Sequence, residues 1–238
     1  MKLNAREQHF KLLNQAVRAS EDRDIMIEGC VGQRYIGTGL SEKTITVLGT
    51  PGNALGAYLN GATIYVHGNA QDATGDTMND GRIYIDGSSG DATGYAMRGG
   101  RIYVRGNAGY RAGIHMKAYQ KKLPVLVIGG VAGSFLGEYQ AGGTIIVLGI
   151  GNHGKTPVGN FCGTGMHGGK IYLRCNELPH DLPKQVVGQE VSDLSEILPY
   201  IDEFCDVFGQ ERKEILSHRF YLLTPDSKNP YHQLYTQN

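Results

Sequence analysis

The chain has 238 residues, with Lys plus Arg and Asp plus Glu at 23 each. That length suits one or two ordinary domains, and a zero net charge supplies no field to draw it toward DNA, RNA or anionic lipid. The four cysteines (Cys30, Cys162, Cys175, Cys205) form no CxxC pair, so a reduced, cytoplasmic chain without disulfides is the plain reading. The N-terminus has no signal-type apolar core and no apolar run is long enough to cross a bilayer, which reads as neither exported by that route nor membrane-spanning.

In chain order, residues 4–19 read first, as an amphipathic helix. Phe10, Leu13 and Val17 share a face at i, i+3 and i+7, and Asn4 with Glu7 forms a capping pair. Its expected job is to cover the open edge of the first repeat unit.

From Ile25 to Cys175 a short repeat takes over. Apolar blocks begin at Ile25, Ile45, Ile64, Ile83, Ile102, Val125, Ile145 and Ile171, at spacings of 20, 19, 19, 19, 23, 20 and 26. Blocks close on Gly49, Gly68, Gly87, Gly106, Gly129 and Gly149, and second glycines follow seven or eight residues later at Gly56, Gly75, Gly94, Gly113 and Gly137. Glycine in phase is unlike glycine in a linker, and eight copies at this period read as a solenoid. In each strand positions one and three point one way and position two the other. The second column, Tyr65, Tyr84, Tyr103, Leu126 and Ile146, is therefore outward and a candidate for facing a partner. A face this apolar is covered either by the chain's own C-terminal segment or by another polypeptide; both stay open. If it faces a partner, Tyr84→Asp weakens binding more than folding and Ile83→Asp the reverse.

A further inner column, Leu40, Leu59, Met78, Met97 and Met166, is broken by Gln140. With Gly-Gly, Asn-Gly and Asp-Gly corners, the pattern predicts a single-stranded parallel β-helix of about eight coils, roughly 34 Å long at the usual strand spacing. Two coils carry insertions, Lys117–Pro124 (basic) and Ile150–Gly159. After Cys175, Leu194, Leu198, Ile201 and Phe208 suggest a short helix ended by Gly209, then a second over 210–220 and a turn-rich tail from Leu223. The expected division is a capping helix at 1–24, the repeat domain at 25–175 and a helical or irregular extension at 176–238.

Three signals of chemistry stand out. Gly149-Ile-Gly-Asn-His-Gly-Lys155-Thr156 fits a phosphate-binding loop, yet Pro157 and three nearby glycines leave no helix whose N-terminus could hold phosphate. His153, Cys162 and His167 sit in one coil, with no known metal spacing and no fourth ligand. His67, Asp86 and Arg105 would stack on neighbouring coils; lacking a nucleophile and a cleft, they read as a surface ion ladder of little energetic weight.

The stretches Glu138-Tyr-Gln-Ala-Gly-Gly-Thr-Ile-Ile-Val-Leu-Gly149, Gly159-Asn-Phe161 and Gly165-Met-His-Gly-Gly-Lys-Ile-Tyr172 resemble the C-terminal glycine-repeat (GXGXG) domain of the glutamate synthase large subunit. Gly68-Asn-Ala-Gln-Asp-Ala-Thr-Gly75 and Asp80-Gly-Arg-Ile-Tyr-Ile85 are similar to an earlier coil of it, and Pro225-Asp-Ser-Lys-Asn-Pro-Tyr231 looks like the versions encoded as a separate chain. The glycine-repeat subunit of formylmethanofuran dehydrogenase has a similar pattern. The resemblance implies a right-handed, all-β parallel β-helix acting as a non-catalytic structural subunit. In a glutamate synthase complex it would dock glutaminase and synthase chains, share in lining the ammonia path and serve glutamate biosynthesis. FMN and iron–sulfur would lie in those partners, with no cofactor, metal or catalytic residue here, no nucleic acid or membrane partner, and homo-oligomerisation left open. Position 2 is Lys, so the N-terminal nucleophilic Cys of that glutaminase type is missing. The alternatives are a scaffold like the glycine-repeat subunit of formylmethanofuran dehydrogenase and a stand-alone polysaccharide-active β-helix enzyme, which would require an acidic column that is not seen.

Overall fold

The computed structural model describes residues 1–226. The elements run β1 (Lys2–Asn4), α1 (Phe10–Ala19), β2 (Asp24–Val31), β3 (Thr44–Thr50), β4 (Asn60–His67), β5 (Asp80–Ile85), β6 (Arg101–Val104), β7 (Val125–Ile128), β8 (Ala141–Val147), β9 (Gly168–Arg174), β10 (Val186–Val191), α2 (Leu198–Phe208), α3 (Arg212–Leu216) and β11 (Phe220–Pro225).

All strands join one eleven-stranded sheet in the order β1-β2-β3-β4-β5-β6-β7-β8-β9-β11-β10. Pairing is parallel as far as β9, then antiparallel where β11 meets β9 and where β10 meets β11. This corrects the expected all-β right-handed parallel β-helix of eight coils: the described residues form a single mixed sheet with three helices. The sequence repeat dictates direction only while it lasts. Beyond Cys175 the chain turns back, and Phe220–Pro225, where the sequence pattern puts the end of a helix at 220 and a turn-rich tail from Leu223, is the strand that reverses the sheet. The rest of that expected tail, 227–238, lies outside the described residues.

The N-terminal helix is shorter than its sequence pattern. It begins after His9, whose Nδ1 accepts from the Lys11 N–H at 3.3 Å, rather than at an Asn4–Glu7 cap. Asn4 belongs to β1, paired with β2, and Glu7 has a φ of 61°. Leu13 and Val17 are buried in the same cluster as Ile25 and Ile36, while Asn14 and Arg18 donate to the Arg34 and Thr38 carbonyls at 2.8 Å each.

The inner column of the sheet runs Ile25, Ile45, Ile64, Ile83, Ile102, Leu126, Ile145 and Ile171, each paired with the next. At β7 this differs by one residue from the sequence register, which starts that block at Val125. Leu126 is therefore inward-facing, in the core with Ile128, and Val125 and Val127 point the other way. A run of four apolar residues followed by Gly129-Gly130 gives alternation no phase to read. Met116 likewise joins the buried Met78–Met97 column; the insertion after it masks its place in the repeat.

The links between strands stack on one another over the inner face. Each contains a tight turn with left-handed residues two apart, as at Ala73 (φ 56°), Gly75 (φ 72°) and Thr77 (φ 50°). Alternate N–H groups bond opposite neighbours: Gly75 donates back to Leu55 O at 2.8 Å, while Ala73 and Thr77 donate forward to Asp91 O and Tyr95 O at 2.8 Å each. Gly75 is confined twice. Its φ favours glycine, and a Cβ there would stand 2.3 Å from Ile102 Cδ1. By contrast, Gly32 has a φ of +78° but nothing within 4 Å of where a Cβ would sit. Gly32→Ala should therefore cost about 1 kcal/mol of backbone strain, and Gly75→Ala roughly 2–4 kcal/mol. Denaturant titration of the double variant Gly75→Ala/Ile102→Val, which removes the offending Cδ1, should recover part of that loss; strict additivity would rule out the contact as its cause.

Candidate functional site

Position two of each block builds the outer face. Tyr65 stacks on Tyr84 at 4.9 Å between ring centroids, and Tyr84 on Tyr103 at 5.3 Å. The column continues through Val127, Ile146 and Tyr172. From Tyr84 onward it is buried with Ile201, Phe204 and Phe208 of α2 and Ile215 of α3, while Tyr65 packs partly against them. The chain's own C-terminal segment is thus the cover. Gly129 makes room for it, since a Cβ there would lie 2.7 Å from Phe204 Cζ. α2 itself starts with Pro199 in its first turn and ends at left-handed Gly209 (φ 63°).

Three polar ties fix this cover. Glu203, projecting from α2, accepts from Arg82 Nε at 3.0 Å, Tyr84 Oη at 2.6 Å and Arg101 at 2.5 Å. Burial would raise its carboxyl, but the hydrogen bonds and the nearby Tyr103 hydroxyl outweigh it and hold Glu203 below the usual carboxylate range. Burial, followed by the Glu203 hydrogen bond, pushes the Tyr84 hydroxyl well above an ordinary tyrosine. Glu196 accepts from Lys170 at 2.5 Å and from Tyr172 at 3.2 Å. Arg174, buried among β9, α3 and β8, donates to Leu148 O at 2.6 Å and to Ile215 O at 3.1 Å.

The structure places the candidate partner-facing residues unevenly. Tyr84, Tyr103 and Ile146 lie under α2 and α3, Tyr65 at their margin, and Leu126 in the opposite core. Tyr84→Asp is accordingly expected to unseat α2 rather than to spare the fold. The block-closing and turn glycines hold neighbouring links close, Gly68 against the Gly49 carbonyl and Gly113 against Ile145. His67 Nδ1 and Asp86 Oδ2 pair at 2.6 Å on the surface, with Arg105 in no ion pair among the described residues.

The phosphate-loop lookalike closes on itself. Asn152 donates to the Lys155 and Thr156 carbonyls at 2.9 and 3.1 Å, and no helix follows before α2. Cys162 is fully buried, its thiol pushed up to about 12 by burial. Among the described residues no group of three His, Cys, Asp or Glu is placed to hold a metal ion, and no helix is long and apolar enough to cross a membrane.

Two surfaces carry no clear mark in the residue pattern. Phe135, Tyr139 and Phe161 occupy left-handed turn positions at φ 62°, 53° and 61°, where bulky side chains are uncommon and strain collects at functional places. Phe135 stacks on Phe161 at 5.1 Å and Tyr139 on His115 at 5.2 Å, forming a solvent-facing aromatic edge. The second is a cleft beside the 117–124 insertion, whose basic composition is its one sequence signal.

Strand and glycine positions together define a glycine-repeat protein with an apolar sheet face closed by its own tail. The chain belongs to the GXGXG motif family, whose model matches residues 7–225. An uncharacterized protein of Methanocaldococcus jannaschii is 45% identical over 250 aligned residues, covering 98% of this chain and 95% of that one. The fold is also similar to a chain of the formyltransferase/hydrolase complex of Methylorubrum extorquens, solved with methylofuran. The TM-score is 0.63 at 24% identity, covering 84% of this chain and 74% of that one.

Removal of the Glu203 charge gives a direct test of how the cover is held. Glu203→Gln should cost roughly 1–3 kcal/mol. Because the folded carboxyl titrates below its unfolded value, its contribution is full above the unfolded pKa and fades as pH falls through the folded one. Chemical denaturation from neutral to acid pH should show a steeper loss for the wild type than for Glu203→Gln; parallel curves would remove Glu203 from this role.

Proposed function

We propose that this chain is a non-catalytic structural subunit that docks other chains in a multi-subunit complex. Its polar groups of unusual setting, Glu203, Arg174 and Tyr84, are occupied in holding its own tail. The observation that carries the reading is the likeness of fold to a chain of the formyltransferase/hydrolase complex, joined to membership of the GXGXG family. It favours a scaffold like the glycine-repeat subunit of formylmethanofuran dehydrogenase. A second reading, docking of glutaminase and FMN/iron–sulfur synthase chains in a glutamate synthase complex, is favoured by the residues of 138–172 that resemble that family. In either complex, the chain alone has no activity and the reacting cofactors belong to partners.

Purification from native extract, with partner identification by mass spectrometry and metal analysis, separates the two. Formyl-transferring chains or a molybdenum or tungsten protein support the first, and a flavoprotein with FMN and iron–sulfur supports the second. A lone monomer at every salt concentration would defeat both.

A further inference from the structure

We infer that the cleft beside the 117–124 insertion receives an acidic, extended segment of a partner chain; this rests on the docking role proposed above. The insertion folds as a hairpin in which Tyr119 N–H donates to Lys122 O at 3.1 Å and Lys122 N–H to Tyr119 O at 2.9 Å. Its tip is pinned across the sheet margin, because Lys122 Nζ meets Asp80 Oδ2 at 2.9 Å. That hydrogen bond is the main cause holding Asp80 below the usual carboxylate range. Beside the hairpin opens a cleft of about 440 Å³, lined by Tyr58, Asn60, Asn79, Arg98, Tyr119 and Lys122. Across Lys122 a smaller hollow of about 180 Å³ reaches Arg82 and Arg101.

The charge here is one-sided. Arg98, Lys117 and Lys121 are exposed and in no ion pair among the described residues, no acid lines the cleft, and Asp80 in the neighbouring hollow is already taken by Lys122. In a chain with 23 charges of each sign, that excess is local. The donors are also ordered. Asn60, Asn79, Arg98 and Lys117 follow one another at 19-residue steps, and each N–H bonds the equivalent carbonyl of the preceding repeat at 2.8–2.9 Å. They therefore occupy equivalent positions about one strand spacing, roughly 4.8 Å, apart. A compact anion is held by groups converging on one point; a row open to solvent fits carboxylates spread along an extended backbone. Long-range attraction of this kind speeds encounter and selects the acidic partner.

The test titrates the full chain with a fluorescein-labelled, glutamate-rich peptide, read by anisotropy, with inorganic pyrophosphate as a separate competitor. Binding is expected at low salt, weakening steeply as salt rises, and falling about tenfold or more in Arg98→Glu/Lys121→Glu. The double reversal Lys11→Glu/Lys184→Glu, placed elsewhere on the surface, should leave it unchanged. If the first reversal lowers the melting temperature, the single neutral variants Arg98→Gln and Lys121→Gln are read instead. Equal peptide binding by wild type and cleft variants overturns the inference. So does displacement by equimolar pyrophosphate, which would mean a compact oxyanion site. Native co-purification keeps the two proposals apart: a complex that forms while the peptide fails to bind overturns the cleft and leaves the docking role. A chain isolated alone removes both.

Discussion

The close approach of the glycine turns to the inner isoleucines governs this molecule. In the turn at Gly75 the backbone runs so near Ile102 that even one methyl group would collide, and the same meeting recurs at Gly56 with Ile83 and at Gly113 with Ile145. The turn is thereby drawn down onto the sheet, which seals Leu55, Met78 and Met116 from water. A larger residue would lift the turn, open a void and break the N–H bonds by which each turn holds both neighbours. Side-chain size, backbone hand and hydrogen bonding are thus satisfied together or not at all. That coupling is why the pattern tolerates little change within a unit yet accepts insertions between units, as at 117–124 and 150–159.

The outer face obeys a different logic. Stacked tyrosines and valines would expose a broad apolar stripe, and the chain resolves this by laying α2 and α3 across it. Glu203 adds orientation to that burial: its three donors come from β5 and β6, so the helix can dock in one register only. Farther toward β2 the cover stops. Met26, in the same column, is exposed, and Thr46 is half-buried.

Much of the architecture is legible in the sequence because its cause is local. Strand positions from β2 to β9 follow from apolar blocks, and the end of α2 at Gly209 from the residue's tolerance of positive φ. Sequence and structure part where the deciding interaction is distant. Val125–Ile128 is apolar at every place, so only pairing with β6 and β8 fixes Leu126 as the inward residue. The direction of β11 depends on what β9 leaves unpaired after the repeat ends, which a run such as Phe220–Pro225 does not encode. The sheet is therefore mixed where repetition alone implies uniform direction. Of the candidate surfaces, the tyrosine column is visible as a periodicity. The aromatic edge is not, since its residues stand where glycine is customary.

The reversal at β11 bears on how such a protein can lengthen. A parallel strand laid after β9 would need the hydrogen-bonding edge that β11 already occupies in the opposite sense. Duplicating a unit in the interior would only push its neighbours apart, leaving both ends unchanged, whereas a unit appended at the C-terminal side would meet the outer edge of β10 in place of the β9 edge on which the repeat grows. The antiparallel pair thus acts as a cap on the last repeat strand: the number of glycine units can drift by internal copying, while growth directly on β9 is closed off because β11 is already paired to it.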